Sequence, residues 1–227
     1  MAWFQYPRSA SAPSTAAELG TLITVVLFAL VLLTNLIRAG RHPQALLADL
    51  RHPVHMAFAA SFAIALILLS ALGTTWGLAD QGWLQATWWA GSLLEFSITV
   101  WVMSRFVRPA DSGGLGWPAI TPLLMIPIVG NVLVPLAGLH WTVTGWMSAQ
   151  FGLGLFLWPL IVGVLLARLL QVGPLPAHMT PTLFILVAPP SAVGLALMQW
   201  SAPPVLVWGC WGVACLSLLW ALSQWRA

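Results

Sequence analysis

The sequence contains no lysine and very little charge of either sign. Its basic residues are eight arginines, its acidic residues number five, and charged residues make up 6% of the 227-residue chain. A soluble domain averages about 25% charged residues, so this composition excludes an ordinary soluble protein. The hydrophobic share of 60% indicates an integral membrane protein instead. Without lysine there is no retinal Schiff base, which excludes a rhodopsin-like receptor.

Residues that could bind a metal or carry out a reaction are also few. Cys210 and Cys215 lie in one apolar segment without a C-x-x-C spacing, which predicts packing residues and not a disulfide or a metal site. No two histidines have the matching depth in facing helices that haem ligation needs. We find no nucleophile–base arrangement. The sequence therefore predicts no enzyme, no catalytic residues, no metal and no cofactor.

Seven apolar segments follow a polar tail at residues 1–17, and we expect residues 18–227 to form a single transmembrane helical bundle. Each segment is close to the ~20 residues that a spanning helix needs. The first lacks a small-residue cleavage site, so a removable signal peptide is not expected. The predicted fold class is an all-α membrane protein with about seven transmembrane helices. The segments cover residues 18–37, 54–73, 83–107, 117–139, 148–170, 179–199 and 203–225.

The arginines predict the orientation of these segments. Seven of the eight fall in alternate connections or segment ends that share one side of the membrane, and only Arg8 lies on the other side. The positive-inside rule assigns the arginine-rich side to the cytoplasm. This predicts a multi-pass protein of a bacterial inner membrane, with its N-terminus outside and its C-terminus inside, and it does not favour nucleic-acid binding. The seven are Arg38, Arg41, Arg51, Arg105, Arg108, Arg168 and Arg226.

Segment six is interrupted near its middle by Pro189 and Pro190. Because proline cannot donate to the carbonyl four residues back, we expect the carbonyls of Ile185 and Leu186 to lack helical partners. In hydrocarbon such carbonyls need other partners, which predicts a helix that faces protein or a water-filled cavity, with Ser191 beside it. A kinked helix that serves only packing is an equally good interpretation.

Segment four carries Pro127, Asn131 and Pro135 in steps of four residues, which places them on one helical stripe. A buried amide on a proline-lined stripe suits a polar pathway. The alternative is an interhelical hydrogen bond, which is common in membrane bundles.

Segment two places Phe58 and Phe62 beside Ser61 and a run of alanines. Small residues next to aromatic rings suit a narrow apolar constriction, and such constrictions gate channels by dewetting. Ordinary helix packing explains the same pattern.

Glu95 is the one carboxylate deep inside a predicted segment. Without a cationic partner it is expected to be protonated, because desolvation disfavours its charged form. An ionisable residue inside the membrane is a functional candidate, here for proton coupling. A hydrogen bond to Ser92 or Thr99 on its own helix, or a contact across an oligomer, is the interpretation we favour.

The order of these features resembles a known family. The run LRHPV at residues 50–54 leads into segment two, the proline-rich fourth segment follows, and segment six carries PTLFILVAPPSA at residues 181–192. Together they are similar to the tellurite-resistance/C4-dicarboxylate transporter family, which includes the plant slow-type anion channels. The resemblance runs from about residue 18 to the C-terminus.

The resemblance implies a ten-helix bundle of five hairpins around a central pore, usually assembled as a trimer. The seven segments match family helices two to eight, so segments two, four and six would be pore helices. The pore-lining residues would then include Phe58, Ser61, Phe62, Pro127, Asn131, Pro135, Pro189, Pro190 and Ser191. The implied function is a channel or transporter for small anions, and malate, tellurite, sulfite, nitrate and chloride all fit.

The chain also departs from the family pattern. Family helix one, the last hairpin and the pore-blocking phenylalanine of the ninth helix have no counterpart in this sequence. Phe58 and Phe62 lie on a different helix and do not inherit that role. The chain is therefore a truncated member, a fragment, or a variant completed by another chain. A non-transporting membrane protein, such as an assembly factor or a degenerate remnant, is the alternative function.

Overall fold

The computed structural model describes residues 15–52 and 55–224. Seven helical spans in these ranges are long and apolar enough to cross a membrane, and the ranges contain no strand, which confirms the all-α membrane class. Most of the predicted tail, Arg8, Val54 and Arg226 lie outside the described residues. The spans are Leu19–Arg41, His55–Thr75, Gly82–Val107, Pro122–Trp141, Thr144–Val172, Ala177–Gln199 and Pro204–Ser223.

The chain divides into two compact units, Met1–Pro43 and Gln44–Ala227. The described part of the first unit is the 27-residue helix α1 (Thr15–Arg41). Its threonines donate to carbonyls of their own helix, as Thr24 does to Gly20 at 2.8 Å. A helix that satisfies its polar groups internally is suited to hydrocarbon. The single bundle expected over residues 18–227 stays a prediction.

The second unit is built from two rows of helices. The first row contains α3, α5, α6 and α8, and α5 lies between α3 and α8 and contacts both. The second row contains α4, α7 and α9, with α4 packed on α3, α7 on α5 and α9 on α8. The labels are α2 (Pro43–Arg51), α3 (Ala59–Thr75), α4 (Gly82–Val107), α5 (Ile126–Leu133), α6 (Pro135–Gly138), α7 (Thr144–Val172), α8 (Ala188–Gln199) and α9 (Pro204–Ser223).

Glycines bring the two rows close together. A Cβ added to Gly91 of α4 would meet Leu66 and Ile67 of α3, and a Cβ added to Gly154 of α7 would meet Val132 of α5. Small residues at such contacts let helix backbones approach, and this approach provides the packing that holds membrane helices together.

Two hydrogen bonds near span ends show that the spans His55–Thr75, Gly82–Val107 and Pro122–Trp141 alternate in direction. At one end, Arg105 Nη2 donates to the carbonyl of Arg51 at 3.3 Å, and we call this the arginine end. At the opposite end, Trp141 Nε1 donates to the carbonyl of Ala79 at 2.8 Å, and we call this the tryptophan end. Arg51, at the end of α2, and Arg105, in the last turn of α4, therefore lie on the same side of the second unit.

Segments four and six both begin as 3₁₀ helices and continue as α-helices. The 3₁₀ helix Pro122–Met125 precedes α5, and the 3₁₀ helix Ala177–Val187 precedes α8. Segment four breaks again at Val134, between α5 and α6. Segment five begins at Thr144, four residues before its predicted start.

The 3₁₀ geometry corrects one expectation about segment six. Pro189 and Pro190 lie in the first turn of α8, where a missing N–H is tolerated. The carbonyl of Ile185 does have a helical partner, the N–H of Ala188, because 3₁₀ bonds reach three residues along the chain instead of four. The expectation for Ile185 was therefore wrong. The carbonyl of Leu186 can form neither type of bond, since Pro189 and Pro190 both lack an N–H.

Candidate functional site

Glu95 lies on α4 at the place where α4 meets α5, and it is completely buried within this chain. A Cβ added to Gly130 of α5 would overlap its carboxyl group, so the carboxyl packs directly against that backbone. Neither carboxyl oxygen has a hydrogen-bond partner among the described residues. The expected bond to Ser92 or Thr99 is therefore wrong. A contact across an oligomer is wrong as well, because no part of Glu95 reaches the surface.

Thr99, one helical turn beyond Glu95, bonds across to α5 instead. Asn131 Nδ2 donates to Thr99 Oγ1 at 2.6 Å and to the carbonyl of Pro127 at 2.7 Å. Thr99 Oγ1 donates to the same carbonyl at 3.3 Å. All three groups are buried. Asn131 thus makes the interhelical hydrogen bond that was the alternative to a polar pathway.

Ser92, one turn before Glu95, bonds to α7. Gln150 Nε2 donates to Ser92 Oγ at 2.8 Å and to the Ser92 carbonyl at 3.0 Å. Trp146 Nε1 donates to the same hydroxyl oxygen at 2.6 Å. Because Ser92, Glu95 and Thr99 are spaced three and four residues apart, they share one face of α4. This face is a polar strip that joins α4 to two other helices.

The polar strip of α4, taken together with its partners Asn131 and Gln150, has more hydrogen-bond acceptors than donors. Both oxygens of Glu95, Oδ1 of Asn131 and Oε1 of Gln150 are buried without a hydrogen-bond partner in the described part of the chain. Each amide nitrogen, by contrast, makes two bonds. No group of three His, Cys, Asp or Glu residues in residues 15–52 and 55–224 is placed to hold a metal ion.

The stripe of Pro127, Asn131 and Pro135 in segment four does not face the side of the first row that the second row of helices leaves uncovered. Pro127, Asn131 and Pro135 are buried, and Asn131 faces α4 through its bond to Thr99. Val129 lies about 200° around the helix from Asn131, since each residue turns the chain about 100°. Val129 is partly exposed. A pore-lining role for the three stripe residues stays a prediction.

A groove of about 470 Å³ runs between α3 and α8 at the tryptophan end, with Leu136 of α6 between its walls. The exposed residues Phe58, at the end of the 3₁₀ helix before α3, and Ser61 and Phe62 of α3 precede the groove, and Ser61 shares a helical face with the groove residue Leu68. The groove is mostly apolar. Its lining residues are Leu68, Ala71, Leu72, Thr75, Leu136, Leu195, Met198 and Gln199.

Segment six contributes both buried and partly exposed residues to this region. Pro189 and Pro190 are buried, whereas Ser191 is partly exposed and donates to the carbonyl of Val187 at 2.8 Å. Ser191 shares a face of α8 with Leu195, which lines the groove. The structure therefore brings Ser191 to the groove side and leaves the two prolines inside the bundle.

Trp88 forms a hydrogen bond with the backbone at the break in segment four. Its Nε1 donates to the carbonyl of Val134 at 3.0 Å, one residue before Pro135. A Cβ added to Gly138 would overlap its ring. Sequence reasoning placed Trp146 only as an interfacial aromatic near a segment end, and it did not single out Trp88 or Gln150. Their spacing carries no signal for these contacts, because each bond joins residues 46 to 58 positions apart.

Comparisons with known proteins agree with this architecture. Residues 1–226 match the model of the SLAC1 family, described as voltage-dependent anion channel. Two relatives from Methanocaldococcus jannaschii, each named an uncharacterized transporter, are 28% identical over 190 residues and 30% identical over 189 residues. The alignments cover 77% of this chain and 53% and 52% of the relatives. The chain thus spans about half the length of the curated relatives it matches.

The family match covers nearly the whole chain and agrees with the seven membrane spans. It also agrees with the resemblance noted from segments two, four and six. The chain belongs to the voltage-dependent anion channel family.

Proposed function

We propose that this chain forms one side of a pathway for small anions through the membrane, without covalent chemistry. The observation that carries the proposal is the first row of helices. Segments two, four and six lie side by side, and they leave a groove that no other described part of the second unit fills. These are the three segments that the family resemblance assigns to the pore.

The pathway would follow the exposed face of α3 and the facing side of α8. Phe58, Ser61 and Phe62 would line it near the arginine end, and Ser191 would line it from segment six. Pro127, Asn131 and Pro135 would act indirectly, by fixing the shape of segment four against α4. An apolar wall with few hydroxyl groups suits weakly hydrated anions such as nitrate better than strongly hydrated ones.

The arginine end would face the cytoplasm of a bacterial inner membrane, with the N-terminus outside and the C-terminus inside. Clustered arginines there would raise the local anion concentration at the inner mouth. The groove is open along one side of the second unit, so the pathway needs a further wall there. A trimer is the assembly implied by the family resemblance.

Anion flux into reconstituted liposomes tests this proposal. Nitrate, chloride and malate should enter liposomes that contain the protein faster than they enter empty liposomes. Ser61→Trp, which fills the exposed face of α3, should lower the flux at least tenfold. Ser97→Trp is the matched control, because Ser97 is an exposed serine on α4, in the second row. A wild-type flux equal to that of empty liposomes would instead support a non-transporting member of the family, which the laterally open groove also favours.

A further inference from the structure

Arg168 is a buried cation with no anionic partner among residues 15–52 and 55–224. It lies near the arginine end of α7, and only 3% of the residue is exposed. Its Nη1 donates to the carbonyl of Gly173 at 2.5 Å. Its Nε is buried and has no hydrogen-bond partner in the part of the chain that the structure describes. No described carboxylate lies within ion-pair distance of it.

One carbonyl oxygen cannot satisfy the hydrogen-bond donors and the charge of the Arg168 guanidinium. A guanidinium has five N–H donors and keeps its charge in proteins. Burying a charge is costly unless it is paired and fully hydrogen-bonded. The Gly173 carbonyl satisfies one donor and compensates none of the net charge. Among the described residues Arg168 therefore has a single hydrogen-bond acceptor and no carboxylate as a counter-charge, and an anion would supply further acceptors and the charge at once.

A cleft lies at the same end of the second unit, next to Arg168 in the chain. It has a volume of about 460 Å³ and lies between the end of α7, the connection that follows, the 3₁₀ helix Ala177–Val187 and the end of α9. Leu169 and Pro174 line it, and they directly follow Arg168 and its partner Gly173 in the chain. The remaining lining residues are Leu175, Ala177, Thr180, Leu183, Trp220 and Gln224.

The connection beside this cleft is held in place by the arginine itself. Gly173 has a φ of +90°, which turns the chain back after α7, and the bond from Arg168 holds its carbonyl against the helix end. Thr180 and Gln224 place a hydroxyl and an amide on the cleft wall. Both groups can donate hydrogen bonds to an anion.

We propose that Arg168 is the centre of an anion-binding site beside this cleft. The ligand is an oxyanion or a halide ion. It accepts hydrogen bonds from the N–H groups of the guanidinium that have no partner in the described part of the chain. A dissolved inorganic anion and the phosphate of a lipid headgroup share this chemistry. The site does not depend on the proposed pathway, because a protein that transports nothing can still bind an anion here.

Thermal unfolding of the full chain in detergent tests the site, with nitrate as the probe. Gluconate replaces nitrate at the lower nitrate concentrations, so that the ionic strength stays constant. Nitrate should raise the Tm of the wild-type protein, because it binds the folded state only. Arg168→Gln should weaken the apparent nitrate affinity about 10- to 100-fold, the usual effect of losing charge-assisted hydrogen bonds. Arg108→Gln, at an exposed arginine of the same end, should leave the affinity unchanged.

The lipid arm repeats the titration with phosphatidylglycerol against phosphatidylcholine. An Arg168-dependent rise in Tm with phosphatidylglycerol alone would assign the site to a lipid phosphate, and one with nitrate alone would assign it to free anions. If wild type and Arg168→Gln respond alike to both probes, the proposal is overturned. If Arg168→Gln does not fold, Arg168→Lys serves instead, since it keeps the charge but loses the planar fork. An unchanged nitrate affinity in Arg168→Lys would overturn the proposal as well.

Discussion

Gly130 of α5 lies directly against the carboxyl group of Glu95 on α4, with no room for a methyl group between them. This contact fixes the distance between a central helix of the first row and its neighbour in the second row. It also keeps the only carboxylate inside the described spans of the second unit out of contact with water. The close helix contact and the buried Glu95 carboxyl are therefore found at the same glycine.

Gly130→Ala should destabilise the bundle, because its Cβ overlaps the carboxyl carbon and both oxygens of Glu95. Overpacking of this kind costs about 1–3 kcal/mol. Gly152→Ala on α7 is the control, since an added Cβ there meets nothing within 4 Å. Thermal unfolding in detergent measures both. The double variant Gly130→Ala/Glu95→Ala should recover part of the loss, and equal losses in Gly130→Ala and Gly152→Ala would contradict the close contact.

Glu95→Gln should preserve or raise stability. The polar strip has unpaired acceptors on Asn131 and Gln150, and an amide at position 95 adds two N–H donors to a region that lacks them. A new hydrogen bond contributes about 1 kcal/mol.

The same variant tests proton coupling. We expect anion flux and its pH dependence to be unchanged in Glu95→Gln, because the carboxyl is sealed behind Gly130. Flux measured between pH 5 and pH 8 in liposomes decides this. A wild-type pH dependence that disappears in the variant would show that Glu95 carries a proton during transport.

Thr99→Val should weaken the joint between α4 and α5. The substitution keeps the shape of the side chain, removes the acceptor for Asn131 Nδ2 and removes a donor to the Pro127 carbonyl. Side-chain hydrogen bonds between membrane helices contribute about 0.6 kcal/mol on average and up to about 1.7. Thr87→Val is the matched control on the same helix, because the Thr87 hydroxyl bonds only to the carbonyl of Trp83.

A double-mutant cycle isolates this interaction. If the bond is real, Thr99→Val should have little further effect in an Asn131→Leu background. Additive losses from the two substitutions would mean that Asn131 and Thr99 contribute separately, and the proline stripe would then be free to face another part of the bundle.

Cysteine accessibility tests which side of α3 faces water. In a Cys210→Ala/Cys215→Ala background, Ser61→Cys should react with a charged, membrane-impermeant thiol reagent if the exposed face of α3 borders an aqueous pathway. Ala63→Cys is the control on the same helix, since Ala63 is fully buried, and it should not react. Mass spectrometry of the labelled protein measures both rates. Failure of Ser61→Cys to react would indicate that this face contacts lipid.

The sequence was a good guide to the spans because each span needs only local information. A run of about 20 apolar residues crosses the hydrocarbon as a helix whichever helices surround it. The predicted segments and the observed spans accordingly agree, apart from a few residues at their ends, such as Thr144. The prolines also marked segments four and six as irregular, since a missing N–H acts within one helical turn.

The environment of Glu95 could not be predicted in the same way. Helical periodicity placed Ser92, Glu95 and Thr99 on one face, which suggested bonds among them. In the structure, Ser92 and Thr99 bond to Gln150 and Asn131 on other helices, and Glu95 is left against a glycine. These partners depend on which helices are neighbours, and periodicity within one helix holds no such information.

The sequence by itself determined that this is a seven-span helical membrane protein, because hydrophobicity acts segment by segment, and it predicts that seven of the eight arginines share one side of the membrane. Only the tertiary structure decided that Asn131 faces α4, that Ile185 keeps a hydrogen bond before the proline pair, and that Arg168 is buried with no carboxylate beside it in the described part of the chain. Each of these depends on contacts between distant parts of the chain, since packing decides which polar groups meet and which are left without partners.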